Sequence, residues 1–315
     1  MSEQSLAFVF PGQGSQKVGM LADLAAEYGV VTDTFAEASD VLGYDLWELV
    51  QKGPQEQLNL TERTQPMLLA ASTAVWRVWK SQSGAVPALL AGHSLGEWSA
   101  LVAADVVSFA DAIALVQQRG KLMQEAVPAG QGGMAAIIGL EDDAIIKACE
   151  QGAEGEVVAP VNFNSPGQVV IAGASAAVDR AMALCKAAGA KRALALPVSA
   201  PFHTSLMQPA ADGLAPKIAE TEFHAPTIPV IHNVHAQSET DPEAIKRLMI
   251  EQIYSPVLWV DCVRALVNGG VSSTVECGPG KVLSGLNKRI DKSLNTLSIE
   301  SPEDPQAVLQ QTRGE

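Results

Sequence analysis

Aromatic residues are scarce in this 315-residue chain, at 5% against 47% hydrophobic residues in all. A core with so few rings has to be filled by Ala, Val, Leu and Ile. That balance suits a helix-covered parallel sheet and disfavours an all-β fold. Cysteine is sparse as well. Cys149, Cys185, Cys262 and Cys277 are scattered, with no C-x-x-C spacing, and read as small reduced core residues of a cytosolic protein. Lys and Arg number 21 against 35 Asp and Glu, for a net charge of -14. Phosphate contacts need clustered cations, so this balance speaks against nucleic acid as a partner. No apolar run approaches a membrane span, and residues 1–10 lack the basic start and long apolar stretch of a leader. The expectation is a soluble, cytoplasmic protein that engages no membrane. The sequence also contains no internal repeat and no low-complexity segment.

What the chain does contain is a serine in an informative setting. Gly92-His93-Ser94-Leu95-Gly96 fits G-x-S-x-G. The apolar run 87–91 before it predicts a buried parallel strand, and the residues after it predict a helix. A serine on a sharp strand-to-helix turn is a nucleophile elbow. The turn is strained and admits only small neighbours, which accounts for Gly92 and Gly96. It also aims the Leu95 N–H, at a helix N-terminus, toward any oxyanion formed there.

The pattern along the chain predicts an α/β protein of two parts. A first strand at 6–10 runs into the loop 11–16. Helices are expected near 19–28, 32–42, 66–82 and 109–127. The segment 132–197 then reads β-α-β-β-α-β, with strands at 132–139, 156–163, 168–173 and 191–197 and helices at 141–151 and 175–188. That is the ferredoxin-like split βαβ order. We therefore expect an inserted small domain at 131–197, with 1–130 and 198–315 forming the large one. Strands at 228–233 and 273–276, helices at 241–252, 259–268 and 281–290, and a weak terminal helix complete the reading. Cys277-Gly278-Pro279-Gly280 lacks the lysine and spacing of a phosphate loop and reads as a tight turn.

A serine nucleophile needs a base. His93 adjoins Ser94, but neighbouring side chains at a strand end point apart. His224 reads as loop surface. His232 and His235 flank a strand end and could hold a metal only with a third ligand beside them. His203 lies where the inserted segment returns to the large domain, a natural cleft, and is the leading candidate. Arg119 is the second clue. It sits in the middle of the apolar stripe Ala112, Leu115, Val116, Leu122, Met123, Ala126, where a guanidinium is costly unless an anion meets it. That anion is either an internal carboxylate or a bound substrate carboxylate.

Several motifs in order then carry a family resemblance. They are Phe10-Pro11-Gly12-Gln13-Gly14-Ser15-Gln16, Thr64-Gln65-Pro66, Gly92 to Gly96, Gln118-Arg119-Gly120, Asn162-Phe163-Asn164-Ser165-Pro166-Gly167, Phe202-His203, Ser255-Pro256-Val257 with Trp259, and Glu276-Cys277-Gly278-Pro279. Over nearly its whole length the chain resembles the bacterial stand-alone malonyl-CoA:acyl carrier protein transacylases of fatty acid synthesis. The resemblance implies an α/β-hydrolase-like large domain with a ferredoxin-like small one. It implies ping-pong acyl transfer with Ser94 as nucleophile, His203 as base, and the Gln252 main-chain carbonyl orienting the histidine in place of a carboxylate. Backbone N–H groups of Gln13 and Leu95 would form the oxyanion hole, and Arg119 would hold the malonyl carboxylate. Gln65, His93, Met123, Asn162, Asn164 and Phe202 would line the substrate site. No metal or cofactor is implied, since the CoA thioester is itself a substrate. The implied partners are malonyl-CoA and holo-acyl carrier protein, with the protein a monomer. Trp98 stands where the family has a tyrosine, a change of packing.

Two other readings compete. An esterase of the α/β-hydrolase type would place its histidine late, after an acid, and use an H-G-G-G-type loop, none of which is evident. A carrier-binding protein without activity would need neither the Ser94 elbow nor His203. Because acyl carrier proteins are acidic, docking to this acidic chain would need a local basic patch. The candidates are Lys281, Lys288 and Arg289, and Lys191 with Arg192.

Overall fold

The computed structural model describes residues 5–198 and 200–313. Residues 1–4, part of the stretch read for a leader, lie outside the described residues. Among those described, strands β1 (Leu6–Phe10), β2 (Leu89–Gly92), β7 (Val230–Ile231), β8 (Ser273–Cys277) and β9 (Asn295–Ile299) form one sheet in the order β7-β2-β1-β8-β9. Every pairing in it is parallel. β1 is buried at all five positions, as a central strand covered on both faces must be. One face packs against the helices Thr61–Ser81, Leu95–Ala103 and Phe109–Glu125, with Phe8 wedged against Trp76 and Trp79. The other face packs against Trp259–Asn268 and Val282–Ile290.

A second sheet holds β3 (Gly132–Ile138), β4 (Val158–Ser165), β5 (Gln168–Ala174) and β6 (Arg192–Ala195) in the order β4-β5-β3-β6, all antiparallel. Helices Asp142–Ala153 and Ser175–Ala187 cover one face. The chain is thus a two-domain α/β protein, α/β-hydrolase-like in the large domain and ferredoxin-like in the small one. The period of two along β3 divides its side chains cleanly. Ala135 and Ile137 enter the small domain's own core, while Met134 and Ala136 face the large domain. A main-chain seam ties β4 to the large-domain loop at Val257, where Val257 N–H donates to Val161 O (2.8 Å) and Phe163 N–H donates to Val257 O (3.0 Å).

Several elements differ from the sequence reading. The helix expected at 66–82 begins five residues earlier, at Thr61, and carries Pro66 in its second turn. The strand expected at 228–233 pairs over Val230–Ile231 alone, because Asn233 has turned to serve the elbow. Helices Leu46–Lys52, Gln55–Leu58 and Gln208–Glu220, and strand β9, were not foreseen. The 277–280 turn is closed from within by Glu300, whose Oε1 accepts the Gly280 N–H at 2.7 Å.

Candidate active site

β2 ends at Gly92, and Ser94 turns the chain into the helix Leu95–Ala103 with φ 52 and ψ -108. That positive φ at a non-glycine residue is strained and must be held by its surroundings. A Cβ on Gly92 would strike the backbone of Gly96, and one on Gly96 would strike Phe10 O. Asn233 clamps the turn from below. Its Nδ2 donates to Gly92 O (2.7 Å), and its Oδ1 accepts the Ser94 N–H (2.8 Å).

The Ser94 hydroxyl meets His203 Nε2 at 2.8 Å. His203 is buried and also has a positive φ, 63. Its Nδ1 lies 2.8 Å from the Gln252 main-chain oxygen. A carbonyl only accepts, so Nδ1 carries the hydrogen and Nε2 is left to accept from Ser94 O–H. Burial, and then the nearby Arg119 charge, push the imidazole down to about 3, so it is neutral at physiological pH. The arrangement is a serine and base oriented by a peptide carbonyl rather than a carboxylate.

Arg119 is 1% exposed. Nη1 donates to Gln65 Oε1 (2.8 Å), while Nη2 donates to Gln252 Oε1 (2.9 Å) and to Ser94 Oγ (3.3 Å). Its Nε has no partner among the described residues. Of the two anions considered from sequence, an internal carboxylate in direct contact is not the answer. Among the described residues the guanidinium meets neutral amides and the serine hydroxyl. Burial lowers its pKa to about 10, with Glu97 acting in the opposite direction, so the group stays charged.

Ser94, His203 and Arg119 open into one cavity of about 370 Å³ between the domains. Gln13, in the loop that follows β1, and Leu95, at the start of the elbow helix, both line it. The first N–H groups of a helix lack partners within it, and Leu95 holds the first position of this one. Gln65, Met123 and Phe202 line the large-domain side, with Gln65 Nε2 3.8 Å from Met123 Sδ. Asn162 and Asn164 come from β4, and His93 reaches Asn164 Oδ1 with Nε2 at 2.7 Å. His93 also lies beside Trp259, and burial lowers its pKa. It takes no part in the Ser94 contact, as its place next to the serine implied. His224 is exposed, and His232 and His235 belong to no cluster of three metal-binding side chains among the described residues.

Sequence reasoning missed Glu97 and Asn233. Glu97 is fully buried behind the elbow. It meets His232 Nδ1 (2.7 Å), Asn233 N–H (3.1 Å) and Gln252 Nε2 (2.6 Å). An acidic residue in a first helical turn is ordinary, so only its burial in three dimensions distinguishes it.

An activated serine beside a buried, unsaturated guanidinium can form an ester with an acyl group that carries its own negative charge. That chemistry is the chemistry of an acyltransferase. Residues 7–299 match the acyl transferase domain family, and the chain belongs to it. It is 61% identical over 305 residues to the malonyl CoA-acyl carrier protein transacylase of Salmonella typhimurium, covering 97% of this chain and 99% of that one. The Bacillus subtilis protein of the same name is 44% identical over 311 residues, covering 98% of both. Among solved structures, an acyl carrier protein S-malonyltransferase from Vibrio cholerae superposes with a TM-score of 0.95 at 63% identity, over 96% of this chain and 99% of that one. A malonyl-transacylase in complex with its type II PKS acyl-carrier protein superposes at 0.96 and 56% identity, over 98% and 99%.

Proposed function

We propose that the protein moves a malonyl group from malonyl-CoA to the phosphopantetheine thiol of acyl carrier protein, by way of a malonyl ester on Ser94, to supply type II fatty acid synthesis. Ser94 Oγ attacks the thioester carbonyl as its proton passes to His203 Nε2. The Leu95 and Gln13 N–H groups meet the oxyanion. The C–S bond breaks, and the CoA sulfur leaves with the proton from His203. The carrier thiol then gives its proton to His203 and attacks the ester. Ser94 departs, taking that proton back. Gln252 O keeps the imidazole in the required tautomer throughout. Arg119 pairs with the malonyl carboxylate, and Gln65, His93, Met123, Asn162, Asn164 and Phe202 shape the acyl site.

The observation that carries this reading is Arg119, a buried guanidinium 3.3 Å from Ser94 Oγ whose partners among the described residues are all neutral. A plain esterase has no use for it. We also place the limits of the inserted domain at residues 131 and 197. The reaction as written needs no metal or cofactor, and we assign the protein to the cytoplasm as a monomer. No described helix is long and apolar enough to cross a membrane. The docking surface for the carrier remains the basic patch proposal, narrowed by the structure. Lys288 Nζ is spent on the Lys292 and Leu294 carbonyls, Arg289 on Gln168, and Lys281 lies 3.7 Å from Glu300 Oε2, which leaves Lys191 and Arg192 as the better candidates. The test is the fate of malonyl-CoA with and without holo-acyl carrier protein. Malonyl transfer dependent on the carrier supports the reading, whereas carrier-independent hydrolysis makes the protein an esterase.

A further inference from the structure

The mechanism leaves the buried Glu97 unused. Glu97 is fully buried, and its carboxylate is separated from Arg119 by a single carboxamide. The orientation of that carboxamide is fixed. Arg119 only donates, so the atom of Gln252 facing Nη2 is the oxygen. Gln252 Nε2 is then directed at Glu97 Oε2 (2.6 Å) and at Ser94 O (3.1 Å). Asn233 N–H donates to the same carboxylate. His232 completes the set through Nδ1, and the neutral Nδ1–H tautomer donates there without leaving an N–H unpartnered, since Nε2 meets nothing among the described residues. Three donors thus converge on Glu97, the partner set of an anion. The line runs from carboxylate through amide to guanidinium, with the amide dipole aligned to both charges.

We propose that Glu97 is the resident counter-ion of Arg119, acting through the Gln252 side chain. It positions that side chain and sets how strongly Arg119 attracts the substrate carboxylate, which makes it a residue that determines specificity. A buried cation with no anion nearby would be costly in the free enzyme. A carboxylate in direct contact would occupy the cation and shut out substrate. One amide of separation keeps the charge compensated and the face toward Ser94 available. This rests on the reading of Arg119 as the partner of the malonyl carboxylate.

The test is a thermal-unfolding cycle on wild type, Glu97→Gln, Arg119→Ala and the double variant, joined to kinetics. Glu97→Gln keeps the shape and removes the charge, at the lesser cost of turning His232 to the tautomer whose buried Nε2–H has no partner among the described residues. Each single variant leaves one buried charge alone and is expected to lower Tm. The double variant leaves none, and its Tm is expected above that of Arg119→Ala. A double variant no more stable than Arg119→Ala overturns the pairing, whether or not Glu97→Gln folds alone. In the kinetics, Glu97→Gln frees Arg119 of its competitor. The malonyl-CoA to acetyl-CoA ratio of kcat/KM should rise, by on the order of tenfold for a unit charge several ångströms away. Glu97→Asp keeps the charge and should hold the ratio while slowing both substrates. Equal losses on both substrates in Glu97→Gln would overturn the specificity role. Failure of the functional reading itself looks different: the ratio would not move in Arg119→Ala, whatever the unfolding cycle shows.

Discussion

The cavity has two walls built in different ways. The large-domain wall is polar and interlocked. Ser94, His203, Arg119, Gln252 and Glu97 each hold two or more of the others or of the backbone, around the elbow that follows the carboxyl end of β2. The small-domain wall is mostly apolar. Met134, Ala136, Val170 and Leu196 come from the face of an antiparallel sheet that its own helices leave uncovered. A parallel sheet with helices at its strand ends offers unpaired N–H groups and charges where the chemistry needs them. A sheet face offers shape. Substitutions on the first wall should therefore change rates and selectivity together, and those on the second should change fit alone.

The largest expected effect on this comparison is Ser94→Ala, which should fold with an unchanged Tm and carry out no measurable transfer. Substantial transfer by the folded variant would remove the wall's central assignment. Arg119→Ala should lower kcat/KM for malonyl-CoA hundreds-fold, as for a broken buried charge-assisted pair worth about 3–4 kcal/mol. Acetyl transfer should stay equal or improve, because acetyl has no carboxylate to lose. Parallel losses on both substrates would mark Arg119 as structural. His203→Ala should cost roughly a hundred-fold or more in acylation, as for a lost general base. On the opposite wall, Val170→Ala should cost roughly 1–3 kcal/mol of stability. It should leave the malonyl-to-acetyl ratio within about threefold of wild type, a pocket methyl or two being worth little discrimination. A larger change would mean that the small domain selects the acyl group.

Acid titration sharpens the same contrast. The His203 pKa falls from 6.5 to about 3 in the folded protein. The folded state therefore binds fewer protons than the unfolded one between those values. The stability that His203 contributes is fully present above 6.5 and is lost as pH falls from there through about 3. The acid limb of kcat/KM for acylation should likewise lie well below 6.5. An inflection at the ordinary imidazole value would show that the base is solvated, not buried.

The meeting of Ser94, His203 and Arg119 in one cavity was legible in the sequence because each is a telling residue type in a constrained place. The elbow has its glycines, the stripe has its arginine, and His203 is the histidine at the return from the insert. The split βαβ order was legible because its strands and helices alternate with clear turns. Helix Gln208–Glu220 was not, since Pro209, Gly213 and Pro216 punctuate it as a loop would be punctuated. Pro209 sits in the first turn, where a missing N–H costs nothing, and packing against Phe109–Glu125 sustains the rest. Pro66 misplaced the start of its helix for the same reason. Strand β9 has no buried residue before Ile299, so the alternation that marks a strand was weak. Glu97 was invisible for another reason. Its role depends on Gln252 and His232, more than a hundred residues away, and no local pattern encodes that meeting.

The central claim is that Ser94 carries the acyl group between two thiols. Intact-mass analysis after mixing the protein with malonyl-CoA, with no carrier present, tests it most directly. The account predicts a single malonyl adduct that peptide mapping places on Ser94, that is absent from Ser94→Ala, and that disappears when holo-acyl carrier protein is added. An unmodified wild-type protein that still transfers malonyl to the carrier, or an adduct on any other residue, would contradict it.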